Sequence, residues 1–144
     1  MYFDEYKLGE KIDIAPVTID YDEMLAFSKR YDNLPFHTDE EYAKTTPFGK
    51  IIAAGAMSFM TVWAKFLETG MIGNEIIAGT TLSMEWFKPV FGGDVLTGVC
   101  TVSKLEKRGT KNGLVELTID AFNQNGDRVL TSASEIVVRC KPAQ

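Results

Sequence analysis

The stretch IIAAGAMSFMTVWA, from Ile51 to Ala64, runs for 14 residues without a charged side chain. The helical pattern continues to Thr69, and Gly70 supplies the left-handed residue that commonly follows a helix. A helix that is apolar on almost every side must be buried on most of its surface, and this one is too short to cross a bilayer. We therefore predict a buried helix over Ile51–Thr69 at the centre of the fold.

The chain after this helix has the pattern of β-strands. In Leu114–Phe122 apolar and polar residues alternate with a period of two, and Asn125-Gly126 is a strong two-residue hairpin signal. Long strands that follow one apolar helix favour an antiparallel sheet wrapped around that helix, which is an α+β fold. The predicted extended segments are Ile12–Thr18, Thr80–Phe87, Val95–Leu105, Leu114–Phe122 and Arg128–Arg139.

A shorter helix is predicted before the central one. It covers Tyr21–Arg30, with Asp20 as its N-cap and charges placed to suit the helix dipole. Pro35 forbids a continuing helix and makes the next residues an irregular loop. Thr38 is then expected to cap a short turn, with Glu41 at its third position as in a capping box.

Length and composition indicate one ordinary globular domain over residues 1–144. Of the 144 residues, 45% are hydrophobic and 24% are charged, and we find no internal repeat or linker-like segment. The formal net charge of −5 argues against a nucleic-acid-binding protein, which needs clustered basic residues. The nearest basic cluster has two interpretations, a solvated hairpin end or a contact with phosphates of a small anionic ligand, and consists of Lys104, Lys107, Arg108 and Lys111.

The cysteines and the first residues of the chain indicate the cellular compartment of the protein. Cys100 and Cys140 lie in predicted strands and lack the spacing of a disulfide framework or a metal site, so we expect buried free thiols. Residues 1–9 carry charges from position 4 onward and contain no apolar segment of a secretory signal. We expect a soluble, cytoplasmic protein with no membrane partner.

The candidate catalytic residues are the chain's single histidine, His37, and Asp32, five positions earlier across the proline-containing loop. Loops carry a disproportionate share of catalytic groups, and a carboxylate beside a histidine can orient it or share proton transfer with it. One histidine excludes metal sites that need two or more, and no metal is expected. The competing interpretation is a structural histidine.

Gly55 interrupts the central helix, where an isolated glycine costs about 1 kcal/mol relative to alanine. It either permits packing against a bulky side chain or, near the start of the helix, offers a backbone N–H to a developing oxyanion. Ser58 and Thr61 follow on the same helix. Their hydroxyls either orient a ligand or bond back to carbonyls of their own helix.

Three segments together resemble the MaoC-like dehydratase family. They are Tyr31–Asp39 (YDNLPFHTD), Thr46–Gly55 (TPFGKIIAAG) and Phe87–Leu96 (FKPVFGGDVL). The resemblance extends from about Phe3 to Val138. It implies a hot-dog fold, in which a long helix is wrapped by an antiparallel sheet, and a homodimer or higher homo-oligomer.

The resemblance also implies a reaction, the reversible addition of water to a 2-enoyl thioester of CoA or of an acyl carrier protein, with no further cofactor. Asp32 and His37 would handle the water and the transferred proton, and the Gly55 N–H would form the oxyanion hole. The implied acyl-binding residues are Phe36, Phe48, Met57 and Ser58, with Phe59 beside them; the competing interpretation, which we favour, makes the apolar ones ordinary core residues.

Two residues depart from the better-known hydratases of this family. Leu34 and Ala54 stand where those enzymes often have asparagine and histidine. These departures leave open a non-catalytic acyl-thioester binding or assembly module. A hot-dog thioesterase is disfavoured because Ile51–Ala64 contains no carboxylate.

Overall fold

The computed structural model describes residues 1–143, which contain four α-helices and five β-strands. A short 3₁₀ turn, Phe3–Glu5, precedes them. The helices are α1 (Tyr21–Tyr31), α2 (Pro35–Thr38), α3 (Glu40–Ala43) and α4 (Gly55–Leu67). The strands are β1 (Lys11–Thr18), β2 (Ile76–Trp86), β3 (Val95–Arg108), β4 (Asn112–Phe122) and β5 (Arg128–Arg139).

All five strands form one antiparallel sheet in the order β1-β3-β4-β5-β2. Alternate residues of β3, β4 and β5 are buried, as the period of two in the sequence predicts. The core contains these residues together with the buried face of α4, formed by Met57, Phe59, Val62 and Phe66. The predicted α+β architecture, one apolar helix wrapped by an antiparallel sheet, is confirmed.

The central helix is shorter than the predicted Ile51–Thr69, because α4 begins at Gly55 and ends at Leu67. Residues 51–54 are extended and hydrogen-bonded to other parts of the chain: the N–H of Ala53 donates to the Val90 carbonyl (2.7 Å). These tertiary hydrogen bonds outweigh the helical propensity of the segment. Within residues 1–143 no helix has the length and hydropathy needed to cross a membrane.

Two local predictions need correction. Thr38 ends α2 and its hydroxyl donates to the Leu34 carbonyl (3.1 Å), whereas the N-cap of α3 is Asp39, which accepts from the Tyr42 N–H (3.1 Å). The β4–β5 hairpin is confirmed, but its connection spans residues 123–127 instead of two. Gly126 adopts a left-handed conformation there (φ 80°), which glycine allows without strain.

The basic cluster lies at the end of the β3–β4 hairpin, as one of its two interpretations proposed. Lys104 and Arg108 both form ion pairs with Glu106, at 3.7 Å and 3.4 Å. Both cysteines are buried free thiols, as predicted.

We predict that the Cys100 thiol is unreactive in the folded protein. It is fully buried in β3, and this burial raises the pKa of its thiol to about 12. Because the thiolate is the nucleophile, Cys100 should react with Ellman's reagent roughly 1,000-fold more slowly in the folded than in the unfolded chain. The rate is measured in a Cys140→Ser variant, with and without guanidinium. Equal rates in the two states would contradict the buried position.

Candidate active site

The loop between α1 and α2 brings the two candidate catalytic side chains together. Asp32 is the C-cap of α1, and its N–H donates to the Ser28 carbonyl (2.9 Å). Pro35 occupies the first position of α2, where its missing N–H costs nothing. The short turn that results places His37 Nε2 3.4 Å from Asp32 Oδ2.

Packing and a hydrogen bond hold the His37 ring in one orientation. The side chain is 6% exposed, and its Nδ1 lies 2.7 Å from the carbonyl oxygen of Ile52. A carbonyl oxygen can only accept, so Nδ1 carries the hydrogen and the neutral ring has its lone pair on Nε2. The Phe36 ring packs against the imidazole with 4.3 Å between centroids. The lone pair is thereby directed toward Asp32.

The environment of the two side chains differs. Asp32 is 41% exposed, whereas the imidazole is almost fully buried. An ionised carboxylate and the Nε2 lone pair are both acceptors, so a proton or an O–H group must lie against them for the pair to be stable. The pair is therefore suited to hold a water molecule or a hydroxyl group and to exchange a proton with it.

Gly55 is the first residue of α4. The first hydrogen bond of the helix runs from the Ser58 N–H to the Ala54 carbonyl (3.1 Å), and Ala54 provides no side-chain cap. Within residues 1–143 the Gly55 N–H has no hydrogen-bond partner. The indole of Trp86 packs against Gly55 so closely that a Cβ atom would overlap it. The packing interpretation of this glycine is confirmed, and its N–H lies at the positive end of a helix, where the oxyanion role stays a prediction.

These groups open into one cavity of about 480 Å³. Of the residues predicted from the sequence, it brings together Asp32, His37, Phe48, Gly55 and Ser58. The remaining lining residues are Ile52, Ala53, Ala56, Trp86, Phe87, Lys88, Pro89 and Val90.

The prediction of the acyl-binding wall is corrected at three positions. Met57 and Phe59 are buried and lie on the face of α4 that contributes to the core, so neither lines this cavity. Phe36 lies outside the lining because its ring packs on His37. The hydroxyls of Ser58 and Thr61 both donate to carbonyls of their own helix, at 3.4 Å and 2.8 Å. Ser58 nevertheless borders the cavity.

Sequence reasoning missed one wall of the cavity. The segment Phe87–Val90 had been noted for its motif but given no role, and Trp86 had no signal of its own, since one tryptophan near the end of a strand is common. Ile52 and Ala53 were assigned to the helix instead of the wall. Within residues 1–143, no group of three or more His, Cys, Asp or Glu side chains is placed to hold a metal ion.

Comparison with known proteins agrees with this geometry. The model of the MaoC-like domain family matches residues 5–124. An (R)-specific enoyl-CoA hydratase of Rhodospirillum rubrum is 33% identical over 104 residues, 72% of this chain and 71% of that protein.

Two solved structures cover nearly the whole chain. The monoamine oxidase regulatory protein of Archaeoglobus fulgidus has a TM-score of 0.92 and 29% identity, covering 99% of this chain and 96% of that one. The MaoC-like dehydratase of Rhodospirillum rubrum has a TM-score of 0.89 and 26% identity, covering 99% of both chains.

The antiparallel sheet wrapped around α4 defines a hot-dog fold, which the chain shares with a solved (R)-hydratase of Pseudomonas aeruginosa. The chain belongs to the MaoC-like domain family.

We predict that the hydrogen bond to Ile52 fixes the tautomer of His37. In the neutral ring Nδ1 should give a nitrogen NMR signal of the protonated type and Nε2 one of the unprotonated type, because only an N–H satisfies the Ile52 carbonyl. The measurement needs no assignment, since the chain contains one histidine. The opposite pair of signals would show that Nδ1 is bare and would contradict the proposed orientation.

Proposed function

We propose that this protein is a reversible enoyl-thioester hydratase, which adds water to a 2-enoyl thioester and gives a 3-hydroxyacyl thioester. One observation carries the proposal: Nε2 of His37 lies 3.4 Å from the Asp32 carboxylate, in the same cavity as the free N–H of Gly55. Membership of the family and the similarity to an (R)-specific enoyl-CoA hydratase support it.

Each group has a part in the reaction. Water held against Asp32 and His37 gives its oxygen to C3 of the enoyl group while the pair accepts one of its protons. The electron pair of the double bond moves toward the thioester carbonyl, whose oxygen becomes negatively charged. The Gly55 N–H stabilises this charge, and one such donor is worth roughly 3–4 kcal/mol. A proton delivered to C2 by the pair then completes the product, so that H and OH have been added and no cofactor is consumed.

Access to the cavity favours catalysis over the non-catalytic binding module. A binding role would be supported by an Asp–His pair buried without access, yet Asp32 is 41% exposed and lines an open cavity. A thioesterase of this fold would need a carboxylate on or near the central helix, and α4 carries none. The substrate carrier is CoA or an acyl carrier protein.

We predict that loss of either member of the pair abolishes most of the activity. Turnover is followed by loss of enoyl-thioester absorbance with crotonyl-CoA and a longer 2-enoyl-CoA. Asp32→Asn and His37→Ala should each lower kcat/KM at least ~100-fold, the usual contribution of a general acid or base.

The matched control is Asp13→Asn, which removes an exposed carboxylate from β1, and it should leave activity unchanged. Circular dichroism and thermal unfolding verify that all three variants fold. Full activity in the Asp32 and His37 variants would exclude this mechanism, and an inactive wild type would point to a binding role or to an unusual acyl group.

We also infer that the active form is a homodimer joined along β2. The two edges of the sheet differ: β1 contains Pro16, which has no N–H to donate to a further strand, while the 11 residues of β2 contain no proline. Along β2, Ile77 and Leu82 are 49% and 51% exposed. The open backbone edge and its apolar side chains fit a second copy related by a twofold axis.

The exposed face of α4 extends this surface. Met60 and Leu67 are 51% and 42% exposed, on the side of α4 where Ala56 and Ala64 are exposed as well. A groove of about 500 Å³, lined in part by Met60, Trp63, Ile76 and Leu82, separates the helix from the β2 edge. A contiguous apolar surface of this kind marks an interaction site.

We predict that Leu82→Glu weakens the dimer. The change places a charge in the interface twice, once from each copy, and should raise the dimer dissociation constant at least ~10-fold. Light scattering after gel filtration compares the mass with the 16.0 kDa of one chain. Leu8→Glu is the control, since Leu8 is 68% exposed away from both surfaces. A wild-type protein that stays monomeric at high concentration would refute the dimer.

A further inference from the structure

Trp86 is the last residue of β2 and forms one wall of the cavity beside Gly55. The side of its indole that bears Nε1, Cε2 and Cζ2 lies against the Gly55 Cα, and these are the atoms that a Cβ at position 55 would overlap. The side chain is 51% exposed, so the indole is not buried in the core. Its position is set by the end of the strand and by contact with the start of α4.

The contact between Trp86 and Gly55 sets an upper limit on the distance between two hydrogen-bond donors, the Gly55 N–H and the indole N–H. A Cβ atom stands about 2.5 Å from its own backbone nitrogen, so the nitrogen of Gly55 and Nε1 of Trp86 are at most about 5 Å apart. Two donors that each lie about 2.9 Å from one shared oxygen are separated by about 4–5 Å. The spacing of the two N–H groups is therefore that of a pair able to bind the same oxygen atom.

The indole N–H is also available. It can only donate, and within residues 1–143 it has no acceptor. The side chain of Ala54, just before the helix, offers no donor to supplement the Gly55 N–H. The neighbouring wall of Phe87, Pro89 and Val90 is largely apolar, which strengthens hydrogen bonds made there.

We propose that the Trp86 indole N–H is a second donor to the thioester carbonyl oxygen, acting together with the Gly55 N–H. The inference rests on the proposed function and adds a catalytic residue to it. No bond of the indole forms or breaks. As the water oxygen bonds to C3, the displaced electron pair is held on the carbonyl oxygen by the two N–H groups until a proton reaches C2.

The test removes the N–H and keeps the shape of the ring. Trp86→3-benzothienylalanine replaces the N–H by sulfur, and the same amino acid in place of Tyr42, an exposed ring of α3 outside the cavity, is the matched control. With crotonyl-CoA, the change at position 86 should lower kcat about 100-fold with KM altered less than about threefold, because the donor acts mainly on the developing charge. The control should keep wild-type kcat. Full kcat in the position 86 variant would overturn the proposal.

A second measurement does not depend on turnover. The carbonyl stretch of bound butyryl-CoA, labelled with ¹³C at the thioester carbon, is recorded by infrared difference spectroscopy. Both donors polarise the carbonyl, so the band should lie at lower frequency in the wild type than in the position 86 variant. Trp86→Phe, which also lacks the N–H, should give the same upward shift and guards against misfolding of the first variant.

The two readouts separate the possible failures. An active wild type whose kcat and carbonyl band are the same with and without the indole N–H would refute the role of Trp86 and leave the hydratase intact. A wild type inactive on enoyl thioesters, with a band that shifts on loss of the N–H, would refute the hydratase and retain the donor. Absence of any butyryl-CoA binding would refute both.

Discussion

Ile52 holds the candidate active site together through its two backbone groups. Its N–H donates to the Phe36 carbonyl (3.3 Å), and its own carbonyl accepts from Nδ1 of His37 (2.7 Å). One residue further on, the Ala53 N–H donates to Val90 (2.7 Å). Four residues before the helix thus connect the Asp–His loop, the segment between β2 and β3 and the start of α4. Backbone hydrogen bonds on both sides leave this strand-like segment little freedom.

The same constraint explains where the helix begins and what its first turn can do. Residues 51–54 cannot be helical while their backbone groups are bonded elsewhere, so α4 starts at Gly55 and its first N–H groups have no carbonyl ahead of them. The hydrogen bond to Ile52 orients the imidazole, and the segment that contains Ile52 also leaves the N-terminus of α4 open to the cavity. The candidate acid–base pair and the candidate oxyanion donor are both positioned by one short piece of backbone.

The site and the proposed dimer surface share an element. Trp86 ends the open edge strand β2 and also packs on Gly55, so the strand that would pair with a second copy carries one wall of the cavity. Pairing along β2 would hold this wall in place, and the exposed apolar residues near it would be covered at the same time. The opposite edge, β1, contains Pro16, which lacks an N–H, and is less suited to pairing.

The sequence by itself determined the fold class and singled out the candidate catalytic pair. The apolar run over Ile51–Ala64 and the alternation in the later strands show which side chains must leave water. The helix, the sheet and their packing could therefore be predicted from composition and period. Asp32 and His37 were recognisable because they lie five positions apart on either side of Pro35, within a local motif that resembles the MaoC-like family.

Only the tertiary structure decided the helix start, the tautomer of His37 and the wall that contains Trp86. Each depends on contacts between residues far apart in the chain, such as Ala53 with Val90 or Gly55 with Trp86, and local propensity carries no information about them. The same holds for Met57 and Phe59, whose type suited a substrate wall but whose place on α4 put them in the core. The residue at which a helix begins, together with its period, fixes which side chains face the core. Here the tertiary hydrogen bonds of residues 51–54 set that first residue.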